Sequence, residues 1–371
     1  MPLYLTEDQA MLRDTAREFM VSEGAIASQL RKYRDMNCKD GFGHALWRQF
    51  GEMGFTGILV DEADGGLGLG HVEAGILLEE IGRNLTPSPF LVTAVAIVEA
   101  LRGTAQRERW LPGILAGETV AALAVDEGPK HRPETVAMRA ERSGNGFRLT
   151  GAKQFVVQGA SADFLVVAAR AEEGLTLFSV EADAAKMEVE GVRLADSSIG
   201  ARITFNGVEV DADAVIGEVG QGEAVLKRVL NAGRAGAASE MVGVASGTAA
   251  MTVDYLKQRK QFGRLIGEFQ ALQHRSSHLY SELEIARAAT LKAQQLLDEG
   301  SEEAEAMVSV AKAKAGRVST LAVQEGVQMH GGIGMTDEYD IGFYMKRNRV
   351  LNELFGDANY HADRVARLMG Y

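Results

Sequence analysis

The chain has 371 residues, enough to bury a large core and to form two or three domains. A net charge of −12 without any basic cluster excludes a nucleic-acid surface, so an anionic ligand must be met by local cations. The single cysteine, Cys38, excludes an internal disulfide and suits a reducing cytoplasm, while the N-terminal MPLYLTEDQAML lacks a signal-peptide pattern and no apolar run is long enough to span a membrane.

From about Thr6 to Gly117 the pattern is helical, with Leu12, Ala16, Phe19 and Met20 forming one apolar stripe. The segment GGLGLG at Gly65 to Gly70 follows no β-run and lacks dinucleotide-fingerprint spacing, so it reads as a flexible connection. From Thr119 the pattern changes to short β-branched runs at roughly ten-residue spacing, including FVVQ, DFLVVAAR and ITFNGVEV, which predict a β-domain ending near Val215. No helices alternate with these strands, so a parallel sheet is not expected. Gly217, Gly220 and Gly222 then lead into a C-terminal helical region. The predicted fold class is α+β: an N-terminal α-helical domain at 1–117, a middle β-domain at 118–216 and a C-terminal bundle at 217–371.

Two C-terminal stretches carry the strongest chemical signal. In YLKQRKQFGRLIGEFQ, a helix over Met251 to Phe262 would project Tyr255, Arg259 and Phe262 from one face, beside a second helix starting near Phe269-Gln270. A guanidinium, a ring and the free amides of a helix start together suit a pyrophosphate joined to a flat heterocycle. In QEGVQMHGGIGMTDEYDIGFYMKR, Gln328 falls in a last helical turn, Gly331-Gly332 let a ligand approach the backbone, and Thr336 is expected to cap a new helix. His274 and His278 are four apart, but Arg275 stands where a zinc-hydrolase motif needs glutamate. They read as packing or hydrogen-bonding residues, and no metal site is expected.

These two stretches resemble the C-terminal signatures of the acyl-CoA dehydrogenases. GFTGILVDEADGGLGLG with LLEEIGRNLTPSP resembles that family's N-terminal half, and LTGAKQFVVQGASADFLVVAAR resembles its middle domain, so the resemblance covers nearly the whole chain. It implies the acyl-CoA dehydrogenase fold with a C-terminal four-helix bundle, FAD as cofactor, and α,β-dehydrogenation of an acyl-CoA. It also implies a homo- or heterotetramer and an electron-transfer flavoprotein or similar acceptor. Carried over residue by residue, Arg259 and Phe262 would meet the FAD pyrophosphate and adenosine, with Gln270 in the same region. Gln328, Gly331 and Gly332 would form the adenosine cradle contributed by a neighbouring subunit, and Arg234 would lie near the thioester.

The departures are as informative as the matches. Phe155-Val156-Val157 replaces the usual Trp-Ile-Thr, keeping a ring against the isoalloxazine but leaving only the Val157 N–H to serve flavin N5. The Thr-Glu-Pro type segment has become Asp126-Glu127-Gly128, and Phe355 occupies the position of the catalytic glutamate. The alternative location, directly before Arg234, is Gly233. The residue-355 N–H can still serve a thioester carbonyl, which needs no side chain. Three readings follow: a base-lacking subunit of a heteromeric enzyme for bulky, steroid-like acyl groups; a stand-alone enzyme with a displaced base, Asp357 ahead of Glu353 and Glu240; or a non-catalytic flavin- or CoA-binding subunit.

Overall fold

The computed structural model describes residues 3–371. Its first helix, α1 (Glu7–Ser22), starts where Thr6 accepts from the Gln9 N–H and the Gln9 side chain reaches back to the Thr6 N–H. This reciprocal pair satisfies two of the amides that a helix start leaves open. The expected stripe faces inward, with Ala16 and Met20 fully buried. Then come α2 (Lys32–Asp35), α3 (His44–Glu52), α4 (His71–Asn84), a π-helical segment Leu91–Ile97 running into α5 (Val98–Leu101), and α6 (Gln106–Leu115). The GGLGLG segment is not the flexible connection expected. Its Leu67, Gly68 and Leu69 amides donate to the carbonyls of Gly57, Val60 and Ile58, which tie it down.

The strands are β1 (Ala121–Ala124), β2 (Arg139–Ser143), β3 (Gly146–Val157), β4 (Phe164–Ala171), β5 (Gly174–Glu181), β6 (Met187–Arg193), β7 (Ile199–Val210) and β8 (Val215–Ile216). They form one sheet in the order β6-β7-β3-β2-β4-β5-β8, with β1 beside β4. The sheet is mixed rather than purely antiparallel: β1 runs parallel to β4, and Arg139 of β2 pairs in parallel with Arg170 of β4. The interval between β1 and β4 contains β2 and β3, so strands rather than a helix make this crossover, which helix–strand alternation in sequence does not detect. Phe147, Leu149, Val167, Phe178, Ile203 and Phe205 fill the sheet's core.

The remaining helices are α7 (Gly222–Gln258), α8 (Gln270–Asp298), α9 (Ala304–His330), α10 (Ile341–Glu353) and α11 (Ala358–Leu368). A two-stranded hairpin, β9 (Lys260–Gln261) and β10 (Arg264–Leu265), separates α7 from α8. Helices, then a central sheet, then a helical bundle is the order that the resemblance implies.

By internal packing the chain forms two bodies: residues up to Arg31 with His71–Thr86 and Arg234–Tyr371, and Lys32–Gly70 with Pro87–Gly233. In the helical body, α4 and α7 touch through glycine. A Cβ on Gly82 would lie 2.1 Å from the Glu240 carbonyl oxygen, and one on Gly243 would lie 2.0 Å from that of Glu79. Such an approach leaves no room for a side chain at either position.

Candidate active site

In the helical body, the two C-terminal stretches meet at one end of the bundle. Leu256, Ile266 and Met329 form a small buried cluster, against which Tyr255, Phe269 and Leu272 pack. Tyr255 stacks on His330 with ring centroids 4.5 Å apart, and Tyr339 lies 4.9 Å from His330 on centroids. Burial holds His330 below the ordinary imidazole range, although its Nδ1 lies 2.6 Å from the Gly326 carbonyl. A neutral ring there keeps charge out of the apolar seam between α7 and α9.

The helix expected through Phe262 ends at Gln258, and Arg259 and Phe262 belong to the hairpin segment. Phe262 and Gly263 form its two-residue turn, both with positive φ, +53° and +80°. Hairpin loops of this length favour that conformation because it matches strand twist. Glycine accepts it freely, whereas phenylalanine rarely does. The Phe262 ring is 92 % exposed. Arg259 and Gln270 are also exposed, and no side chain caps the start of α8.

Gln328 occupies the last turn of α9 and is exposed, as are Gly331 and Gly332. Gly331 has a φ of +62°, and nothing lies within 4 Å of where a Cβ would sit on either glycine. The bare backbone is therefore open to a ligand. Thr336 does not cap a helix: its hydroxyl donates to the Ile333 carbonyl, and α10 begins five residues later at Ile341 with Asp340 at the cap position. The short 3-10 turn at Gly331–Met335 delays the restart. His274 and His278 are exposed on α8. Among the described residues no cluster of three metal-ligating side chains occurs.

The sheet body holds the other two proposed flavin contacts. The β3–β7 register shifts between Lys153 and Val156, and Phe155 sits in this irregularity with φ of +52°. The bulge frees Phe155 from strand alternation and leaves its ring half-buried, while Val157 is buried and in register with Gly200. Beside it lies a pair that the sequence reading missed. Lys153 is fully buried, with Nζ 2.9 Å from the Val125 carbonyl and 2.8 Å from Glu127 Oε1. Burial alone would lift the Glu127 carboxyl, but Lys153 and the Met138 and Ala137 amides outweigh it and hold it low. The degraded Asp126-Glu127-Gly128 segment is thus tightly organised, with Asp126 also bonded to His131 and to the Arg132 N–H.

The segment around Phe355 is equally ordered. Phe355 lies in the α10–α11 loop, 6 % exposed, with φ of +61°, followed by Gly356 at +102°. Arg234 of α7 donates through Nε to the Phe355 carbonyl at 3.4 Å and through Nη2 to the Tyr360 hydroxyl at 3.1 Å. Burial pushes this guanidinium down to about 10. His361 Nε2 lies 3.0 Å from the same Phe355 carbonyl, and Lys312 Nζ donates to the carbonyls of Leu351 and Gly356 at 2.8 and 3.1 Å. Asp357 caps α11: its Oδ1 accepts from the Asn359 and Tyr360 amides. The weaker carboxylate candidates are ion-paired, Glu240 with Arg347 and Glu353 with Arg349. The sequence does carry a signal for Lys312, a lysine within the Val308, Ala311, Ala315 stripe that α9 buries.

The fold agrees with that of known proteins. Residues 6–118 match the acyl-CoA dehydrogenase N-terminal domain and residues 220–370 the C-terminal domain. Isovaleryl-CoA dehydrogenase of Solanum tuberosum is 32 % identical over 81 % of this chain and 76 % of its own. Acyl-CoA dehydrogenase FadE12 of Mycobacterium tuberculosis is 30 % identical over 93 % and 91 %. Among solved structures, a variant of the steroid ACAD Tcur3481-Tcur3483 matches with a TM-score of 0.90 and 30 % identity over 98 % of both chains. The ChsE4-ChsE5 complex from Mycobacterium tuberculosis shares the fold, with a TM-score of 0.91 at 24 % identity over the whole of both chains.

The chain belongs to the acyl-CoA dehydrogenase family, whose members are flavoprotein oxidoreductases that use FAD. Tetramers are typical of that family. The exposed Arg259 and Phe262 and the bare Gly331-Gly332 backbone fit a dinucleotide. No helix among the described residues is long and apolar enough to cross a membrane.

Proposed function

We propose that this chain is the subunit without the usual carboxylate of a two-component, FAD-dependent acyl-CoA dehydrogenase, working with a homologous subunit on a bulky, steroid-like acyl-CoA. The observation that carries this reading is the state of position 355. A buried phenyl ring stands there, and the nearest replacement, Asp357, uses an oxygen to cap α11. The likeness to the steroid ACAD Tcur3481-Tcur3483, and in fold to the ChsE4-ChsE5 complex, supports both the acyl class and the paired assembly.

FAD, when bound, supplies the acceptor for the β-hydrogen. On this reading Arg259, Phe262 and Gln270 hold the dinucleotide from one subunit, and Gln328, Gly331 and Gly332 hold it from the next. Phe155 and Val157 border the flavin ring, Arg234 supports the thioester pocket, and the partner's carboxylate removes the α-proton. Electrons leave to an electron-transfer flavoprotein or a similar acceptor in the cytoplasm.

The test compares the chain purified alone with the chain co-expressed with a homologue that carries the glutamate, reading flavin absorbance as steroid-type and short acyl-CoAs are added. Bleaching only in the pair supports the proposal. Bleaching by the chain alone, abolished by Asp357→Asn, assigns the base to Asp357 instead. A flavin that never bleaches in either sample leaves a binding subunit without turnover.

A further inference from the structure

The α10–α11 loop contains a backbone donor without an acceptor. In a continuing helix the Phe355 N–H would bond to the Leu351 carbonyl, four residues back. Leu354 leaves the helix at φ −66°, ψ 124°, while its own N–H still reaches the Val350 carbonyl. The Gly356 N–H donates to Glu353. The Phe355 N–H between them has no acceptor among the described residues. Buried amides are almost always paired, so an unspent one in a buried loop points to a ligand.

Lys312 explains how the amide stays unspent. Its Nζ takes the Leu351 carbonyl and holds the Gly356 carbonyl beyond the turn, clamping the loop on both sides of residue 355. Arg234 and His361 hold the intervening Phe355 carbonyl from α7 and α11. Every bond in this clamp goes to backbone, and none involves the residue-355 side chain. We propose that Lys312 is a positioning residue: by capping α10 in place of the next turn, it presents the residue-355 N–H to the carbonyl oxygen of a bound acyl thioester, whatever side chain that residue carries. This rests on the acyl-CoA reading above, and it makes the chain a thioester-binding subunit rather than a scaffold.

The test needs no turnover. In the purified holoprotein, with its companion if one is required, dissociation constants are measured by calorimetry for an acyl-CoA thioester and for the matching alkyl-CoA thioether, which lacks the carbonyl. One hydrogen bond predicts that wild type prefers the thioester by about tenfold. Lys312→Met should bring the ratio near one while thioether affinity and flavin content hold, and Lys312→Arg should restore most of the preference. A ratio that survives Lys312→Met, or equal loss of both ligands, overturns the proposal.

Should Lys312→Met fail to fold, hydrogen exchange in the wild type decides. The Phe355 amide should exchange faster than those of Leu354 and Gly356 and become protected by the thioester alone; protection by both ligands or by neither overturns the assignment. A colourless protein that still prefers the thioester sinks the flavin reading and leaves this one standing. A yellow protein with no preference does the reverse.

Discussion

Lys153 and Glu127 form an ion pair at 2.8 Å in which the lysine side chain is wholly buried and the glutamate is 23 % exposed. The pair ties β3, just before the Phe155 bulge, to the segment after β1. Lys153→Met leaves Glu127 with its two amide donors but without its counter-charge. Removing one partner of a buried pair is costly, and the partial exposure of Glu127 places the loss at the lower end, about 3 kcal/mol. Urea unfolding should show this, and adding Glu127→Gln should recover part of it.

Lys312 gives the fold a pH signature. Burial, with Arg234 adding to it, pushes the ammonium down to about 7, although Asp357 and Glu353 oppose the shift. Below that pH both native and unfolded chains carry the proton. From there to the ordinary lysine range only the unfolded chain keeps it, so stability rises with pH, by up to about 1.4 kcal/mol per unit. Urea midpoints between pH 7 and 9 should climb in wild type and flatten in Lys312→Met.

Phe262→Ala separates binding from folding. The ring is nearly all solvent-exposed, so the substitution should change stability by no more than about 0.5 kcal/mol. If the ring covers adenosine, the variant should release flavin on gel filtration severalfold faster than wild type. Arg259→Ala should behave in the same way, with the difference from wild type shrinking at higher salt, because screening removes the charge contact from wild type too.

Asp357→Asn is a clean probe because asparagine caps a helix about as well as aspartate. Thermal unfolding should stay within about 0.5 kcal/mol of wild type, whereas Asp357→Ala should cost about 1 kcal/mol. Any loss of flavin bleaching in the asparagine variant then reports chemistry rather than folding.

Phe355→Glu should keep the loop in place, because the clamp runs through carbonyls. The expected outcome is flavin bleaching by this chain alone on adding acyl-CoA, followed at the oxidised absorbance band. A folded, flavin-loaded but silent variant would show that the surrounding pocket has also changed.

The chain was legible in its periodic parts. The Leu12–Met20 stripe, the change to strands after Thr119 and the glycine-marked entry to α7 each rest on local spacing that the fold preserves. The local breaks were not legible. A helix pattern through Phe262 ends at Gln258 because Phe262-Gly263 adopts a hairpin turn, and the parallel β1–β4 pair brings together segments far apart in sequence. Arg234 is a candidate site residue in the sequence, but the residues around it are not legible there. Lys312 and His361 come from two other helices, and nothing in local sequence predicts that they converge on the Gly356 and Phe355 carbonyls, or that Tyr360 meets Arg234.

The left-handed backbone at Phe355 also bears on how such enzymes diversify. A loop whose conformation is set by neighbours binding its carbonyls tolerates exchange of the side chain it carries. After gene duplication, one copy can shed its reactive group through a change at this single codon while its architecture and ligand pockets persist, dividing labour between two chains that still assemble.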